Sequence, residues 1–215
     1  LRVASRGVGL GRTQLQRRVH TQGNAMATAL RMASERAARL EQVRSFVVRD
    51  TVALACRNKA MVQAAHTPEN RELTLLDPDT GADMPQQVDW DSALRLRPVL
   101  ERARPCGYWL APAANTAIER LRLHGLQVLR VAEAGSVLAE APQPPGPAAS
   151  ALARSAMDVP AGSYYLPLNQ PLAHVAMAAL EAETAFGYVG LGLVERPEHV
   201  VRVMATPSLV FEELD

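Results

Sequence analysis

The sequence predicts a mixed α/β protein in two parts. A strand and a long helix read as the close of one α/β domain, and a smaller mixed α/β region follows. Three observations predict this. Apolar and small residues recur at spacings of three and four from about Gln22 to Asn58, the mark of a helix with one apolar stripe. After His66-Thr67-Pro68 the period shortens, and stretches bounded by Pro, Gly and Asp alternate as strands do. Between Gly107 and Val131 a strand, a helix and a second strand succeed one another, which predicts a small unit with a right-handed crossover. The division falls between 1–66 and 67–215.

The elements follow in order. Leu1 to Val3 reads as a short strand, with Gly7, Gly9 and Gly11 as a flexible loop after it. The helical stripe comprises Met26, Leu30, Ala33, Ala37, Leu40, Val43 and Val47, small enough in places to pack closely on a sheet or another helix. A break is expected near Asp50-Thr51, where Thr51 can cap a shorter helix through Cys56. Glu72 to Leu76 and Gln86 to Trp90 are partner strands of a hairpin, reversed by Asp77-Pro78-Asp79-Thr80-Gly81. Gly107 to Leu110 is a buried strand. Pro112 starts a helix through Leu123, His124-Gly125 stops it, and Leu126 to Val131 is the next strand. Ala141 to Ser150, with Pro142, Pro144, Pro145 and Pro147, is a linker or exposed loop. Met157 to Pro160 and Tyr164 to Leu166 are strands joined by the Ala161-Gly162 turn. Pro171 opens a helix to about Glu183, Val200 to Met204 is a short strand, and Pro207 to Asp215 is expected to fray.

Composition narrows the function. Hydrophobic residues make up 48% and aromatics 4%, so the core must rest on Ala, Leu and Val. Twenty-three basic against 22 acidic residues give a formal +1, which argues against a nucleic-acid or polyanion binder. The Arg-rich opening (Arg2, Arg6, Arg12, Arg17, Arg18) is a local exception, read as a solvated face or one that meets upstream structure. No apolar run approaches the roughly 20 residues of a membrane-spanning helix. The opening shows neither an initiator Met nor a signal core, so the chain is expected to begin inside a domain. Cys56 and Cys106 are either buried thiols or one disulfide tying the long helix to the β-rich part, the second needing an oxidising compartment.

Residue by residue, no catalytic constellation is complete. None of His20, His66, His124, His174 or His199 stands in a His-Glu-x-x-His motif, so local spacing gives no complete zinc site. Adjacent Glu198 and His199 point apart on any regular element. His174 reads as a boundary histidine of a helix, and His124 as a helix C-terminal residue that suits the dipole. Gly162-Ser163-Tyr164 lacks the nucleophile elbow, so Ser163 reads as a turn residue and a Ser163–His174 hydrolase is a minor alternative. The glycine loop is one residue short of the dinucleotide fingerprint.

Five stretches in register nevertheless resemble bacterial zinc carboxypeptidases of the carboxypeptidase A-like superfamily, especially large ones with an appended C-terminal region. They are Ser5-Arg6-Gly7-Val8-Gly9-Leu10-Gly11-Arg12, Arg18-Val19-His20-Thr21-Gln22, Leu76 to Asp83, Arg104-Pro105-Cys106-Gly107-Tyr108-Trp109-Leu110, and Asp158 to Ala173 with its Pro-Ala-Gly-Ser-Tyr. The resemblance implies that 1–66 is the C-terminal end of a carboxypeptidase-like catalytic domain and 67–215 an accessory α/β domain. It implies one zinc ion, held by a His-x-x-Glu pair and a later His that lie upstream, so none is expected on this chain. It implies a peptide substrate, a missing N-terminal catalytic portion as partner, and a periplasmic or secreted protein, compatible with a Cys56–Cys106 bridge. The family's water-activating Glu precedes Ser/Thr-Arg-Gly on a late strand, and here that position is Ala4. Alanine accepts no proton, so hydrolysis is expected to be crippled, through either a degenerate homologue or a changed residue at Ala4. Arg6 is the nearby guanidinium suited to a substrate carboxylate, with a structural ion pair as the alternative. The family's longer β-rich segment before Asp158 is replaced by the short Pro-rich bridge, which is expected to leave sheet edges open. A non-enzymatic accessory or protein-binding module is the rival from another class.

Overall fold

A computed structural model of the protein describes residues 15–77, 79–142 and 152–214. Ala4 and Arg6, the expected strand at Leu1–Val3, the glycine loop and the stretch 143–151 lie outside them. The chain is a mixed α/β protein in two units, 1–49 and 50–215. The boundary expected at residue 66 falls inside a strand of the second unit.

The helical stripe forms α1 (Leu15–Glu35) and α2 (Ala37–Ala53), separated at Arg36. The N–H of Arg36 still reaches Met32 O (3.2 Å) and that of Leu40 reaches Arg36 O (2.9 Å), so the helical ladder runs on across the break. The break expected at Asp50-Thr51 does not occur. Both residues lie inside α2, and Thr51 is buried instead of capping. No residue of α1 is buried, and Leu30, Leu40, Phe46 and Val47 expose 68%, 52%, 65% and 52% of their surface.

Unit 50–215 begins with the end of α2 and then a long antiparallel ribbon, β1 (Lys59–Leu76) with β2 (Asp83–Ala103). The expected hairpin is only its outer part. The Asp77 carboxylate anchors the reversal by accepting the N–H groups of Asp79 (2.9 Å) and Thr80 (2.8 Å), while Gly81 supplies a φ of +70°. Those N–H groups hold the Asp77 carboxyl below its ordinary pKa. Between the His66↔Leu96 and Thr67↔Ser92 pairs the register shifts and leaves Ala93 to Arg95 out of the pairing, while Thr67 Oγ1 donates to the Arg95 carbonyl at 2.5 Å. On one face of the outer ribbon Leu75 pairs with Met84, Leu73 with Gln86, Arg71 with Val88 and Glu69 with Trp90. Arg71 lies over the Trp90 ring at 5.4 Å.

The remaining strands form one antiparallel sheet. They are β3 (Gly107–Leu110), β4 (Leu129–Val131), β5 (Gly135–Pro142), β6 (Leu152–Val159), β7 (Tyr164–Pro167), β8 (Val200–Val203) and β9 (Phe211–Glu213). Their order is β6-β5-β8-β3-β7-β4-β9. β3 and β4 are therefore not neighbours, because β7 pairs between them. The tail expected to fray instead adds β9 to the edge of β4. Two helices cover one face: α3 (Asn115–Leu123), entered through a 3₁₀ turn at Pro112–Ala114, and α4 (Ala173–Leu180), shorter than the expected helix to Glu183. Tyr108, Leu110 and Leu166 of the sheet pack there with Ile118 and Leu121 of α3 and Ala176 and Leu180 of α4. The opposite face holds a second core of Val131, Val137, Val159, Tyr165, Val201 and Val203.

Cys56 and Cys106 form a disulfide across a separation of 50 residues, joining the turn after α2 to the start of β3. Closing a loop of this size restricts the unfolded chain, so the double variant Cys56→Ser/Cys106→Ser is expected to lose about 2–4 kcal/mol. Urea denaturation of the two forms measures it. Thiol titration of unreduced, denatured protein should find no free thiol.

Candidate functional site

The register of the sheet assembles chemistry that no local motif contains. Arg154 of β6 lies opposite Glu140 of β5, Glu140 opposite Arg202 of β8, and Arg202 opposite Tyr108 of β3, in one row across four strands. Val201 and Val203 belong to the core on the other face, so the intervening Arg202 is turned toward the helices. Glu181, the first residue beyond α4, leaves the helix with ψ 124° and closes the row from above.

The contacts are dense. Arg202 Nε donates to Glu181 Oε1 (2.9 Å), its Nη1 to Glu140 and its Nη2 to the Ala103 carbonyl. Tyr108 Oη donates to the same Glu181 oxygen at 2.6 Å. Arg154 Nε donates to Glu140 at 2.9 Å, and Arg102 grips Glu183 through both Nη groups at 3.1 and 2.5 Å. Arg102 also stands 3.7 Å from Glu181. Three guanidinium groups thus balance three carboxylates beside a cavity of only about 60 Å³. Each nitrogen type of Arg202 has an acceptor, and the phenol is engaged. Such a saturated, neutral cluster orients a fold and offers no open nucleophile or base.

Tyr108 is held well above the ordinary tyrosine pKa, first by burial, then by the charge of Glu181 and its hydrogen bond, with Arg202 opposing. Burial also raises Tyr165. Below about pH 10 both folded and unfolded chains keep these phenols protonated, so their contribution is fully present. Above it the unfolded chain ionises first, so stability is expected to fall by up to about 1.4 kcal/mol per pH unit for each tyrosine. Urea midpoints at rising alkaline pH, compared with Tyr165→Phe, measure the slope.

The other sequence candidates are dispersed. Ser163 Oγ donates to the Pro160 carbonyl at 2.6 Å, a bond within its own turn. Burial and the positive charge of Arg104 keep His174 below the ordinary imidazole pKa. It lines an apolar cleft of about 380 Å³ with His124, Phe186 and Tyr188. Glu198 and His199 both turn to Arg196, whose Nε lies 3.5 Å from the carboxylate and donates to His199 Nε2 at 2.9 Å. Buried Arg104 has no hydrogen-bond partner for Nε or Nη1 among the described residues, and desolvation lowers its pKa.

Among the described residues no three His, Cys, Asp or Glu side chains come together in a group able to hold a metal ion. The disulfide instead forms one wall of a larger cleft of about 490 Å³, floored by Leu129, Tyr165, Pro167 and Phe211. Sequence reasoning missed the charged row because its members sit on four strands. Its one local trace is a lone charge inside an apolar strand, Arg202 between valines and Glu140 between alanines. Comparison with family models, with curated proteins and with solved structures finds no match for the chain.

Proposed function

We propose that this chain is the C-terminal part of a zinc metallocarboxypeptidase-like protein and serves there as an accessory docking region, not as the hydrolytic centre. The observation that carries the reading is the apolar stripe of α1 and α2. Leu30, Leu40 and Val47 of that stripe lie more than half exposed, within the segment that the resemblance assigns to the end of a catalytic domain. A continuous apolar stripe in water marks a contact surface. In this reading the upstream catalytic portion covers the stripe and brings the zinc ligands, while Ala4 leaves the general-base position without a carboxylate. The Cys56–Cys106 bond supports a periplasmic or secreted protein, since oxidising compartments sustain such bonds.

A free-standing protein-binding module is the second reading. The outer ribbon favours it, where Leu75, Met84 and Trp90 expose 43%, 39% and 41% on one face.

Leu30→Asp with Val47→Asp separates the two. The exposed positions should change the urea-derived stability of this chain by no more than about 0.5 kcal/mol. The same pair should abolish association with the protein portion encoded immediately upstream, supplied in trans. A loss of several kcal/mol in the isolated chain would mean that it buries the stripe itself, and the docking reading would fail. Incubated with zinc and a panel of C-terminal peptide substrates, the chain is expected to release no terminal amino acid. Metal-dependent release would refute the assignment.

A further inference from the structure

The cleft beside the disulfide lies wholly within unit 50–215 and is built from five separate stretches: the end of α2 with the turn at Cys56-Arg57, Cys106 before β3, the chain entering β4, β7 with its exit, and the segment leading into β9. Its volume, about 490 Å³, falls in the range of small-molecule sites, which join an apolar interior to a few polar groups. Tyr165 and Phe211 stack in its floor with centroids 5.3 Å apart and planes 20° from parallel. Tyr165 is buried, whereas Phe211 is half-buried and keeps ring surface toward the space.

The polar lining is unusual in its balance. Arg57 is the one charged side chain there, with no Asp or Glu in the wall. It is exposed, and among the described residues its guanidinium makes no hydrogen bond or ion pair, unlike Arg102, Arg154 and Arg202. The Gln127 and Asn169 side-chain amides line the same space and are equally unengaged among the described residues. The position of Arg57 is set by its surroundings. Cys56 and Asn58 on either side adopt left-handed φ values of 62° and 59°, and the disulfide pins the turn to β3. Non-glycine residues hold such angles only where the neighbouring structure enforces them.

We propose that this cleft binds a small singly charged anion with an apolar body, a carboxylate carried on an aromatic or branched aliphatic group. The Arg57 fork takes the carboxylate, the two amides supply secondary hydrogen bonds, and the apolar group lies on Phe211, Leu129 and Pro167. A phosphate is disfavoured, because a second negative charge would meet a single cation and an apolar floor. The proposal does not rest on the peptidase reading, and needs no metal and no upstream partner.

The test uses the whole chain with its disulfide intact and follows binding by calorimetry and ligand-observed NMR. The probes are 3-phenylpropionate, its neutral amide, and a tetrapeptide ending in phenylalanine with a free carboxylate. The acid is expected to bind at least about tenfold more tightly than the amide, a difference a charge-assisted hydrogen bond supplies. Arg57→Gln should erase that preference without altering the unfolding midpoint, and Phe211→Ala should weaken acid and amide alike. If the tetrapeptide binds more tightly than the free acid, the carboxylate belongs to a chain end. If less tightly, it belongs to a small metabolite. Equal binding of acid and amide, no binding by either, or a preference that survives Arg57→Gln would overturn the proposal. Because Arg57 is exposed, a result from that variant cannot be attributed to misfolding.

Discussion

Replacing Arg202 with methionine is expected to lower the unfolding free energy by about 3–5 kcal/mol, the range for breaking a buried ion pair from one side. Arg202 is the hinge of the charged row. Its removal leaves Glu181, 2% exposed, and Glu140, 10% exposed, each facing a low-dielectric interior with fewer counter-charges. Tyr108 would then donate to a carboxylate that has lost its nearest cation. Urea unfolding followed by circular dichroism gives the number. A companion variant sharpens it: Arg202→Met with Glu140→Leu, Glu181→Leu and Tyr108→Phe removes both carboxylates together with the phenol that donates to one of them, and should recover most of the loss. If Arg202→Met alone costs under about 1 kcal/mol, water reaches the cluster and the row is an ordinary surface network.

Gly107→Ala should be of similar severity for a different reason. A β-carbon at that position would meet the Leu166 carbonyl oxygen and the Tyr165 ring at 2.5 Å. The oxygen belongs to the backbone of β7, paired with β3 through Gly107↔Pro167 and Tyr108↔Leu166, so it cannot withdraw without opening the ladder. Overpacking of this kind costs about 1–3 kcal/mol, and more where the neighbour is backbone, so at least about 3 kcal/mol is expected. Gly23→Ala is the control. It lies in α1 with nothing within 4 Å of the added carbon, and should raise stability by up to about 1 kcal/mol through helix propensity. Thermal or urea unfolding of the pair decides. Equal, small effects at both positions would show that β7 can move away from β3.

The elements legible in the sequence were those whose pattern is local. Gly107 to Leu110, Tyr164 to Leu166 and Val200 onward are short apolar runs framed by Pro, Gly and charged residues, and each is a strand. The Asp77-to-Gly81 reversal was readable from turn chemistry alone. Strands β5 and β6 were harder, because Ala, Ser and charged residues dilute their alternation. The sequence marks β6 only at its last residues, and β5 not at all. β9 was hidden by Glu212 and Glu213, since only Phe211 among its three residues carries an apolar signal. The inner ribbon escaped because its register shifts break the period of two at Met61, Gln63 and His66. The charged row depends on which residue of β5 faces which residue of β8, a matter of pairing that no window along one strand contains. The disulfide was one of two alternatives open to Cys56 and Cys106, and it took the folded arrangement to put their Cα atoms 4.2 Å apart.

The β1–β2 ribbon has a further consequence for behaviour at high concentration. Two long strands with no third neighbour among the described residues carry unpaired amides and carbonyls along both flanks, a template on which other copies can grow as cross-β layers. Pro68, Pro85 and Pro98 interrupt that template, since none can donate to an incoming strand. Seven carboxylates between Thr67 and Ser92, against Arg71 alone, make successive copies repel. Acidification removes that repulsion while leaving the prolines in place, so fibrillar growth, if it starts anywhere on this molecule, starts at low pH and from the outer half of the ribbon.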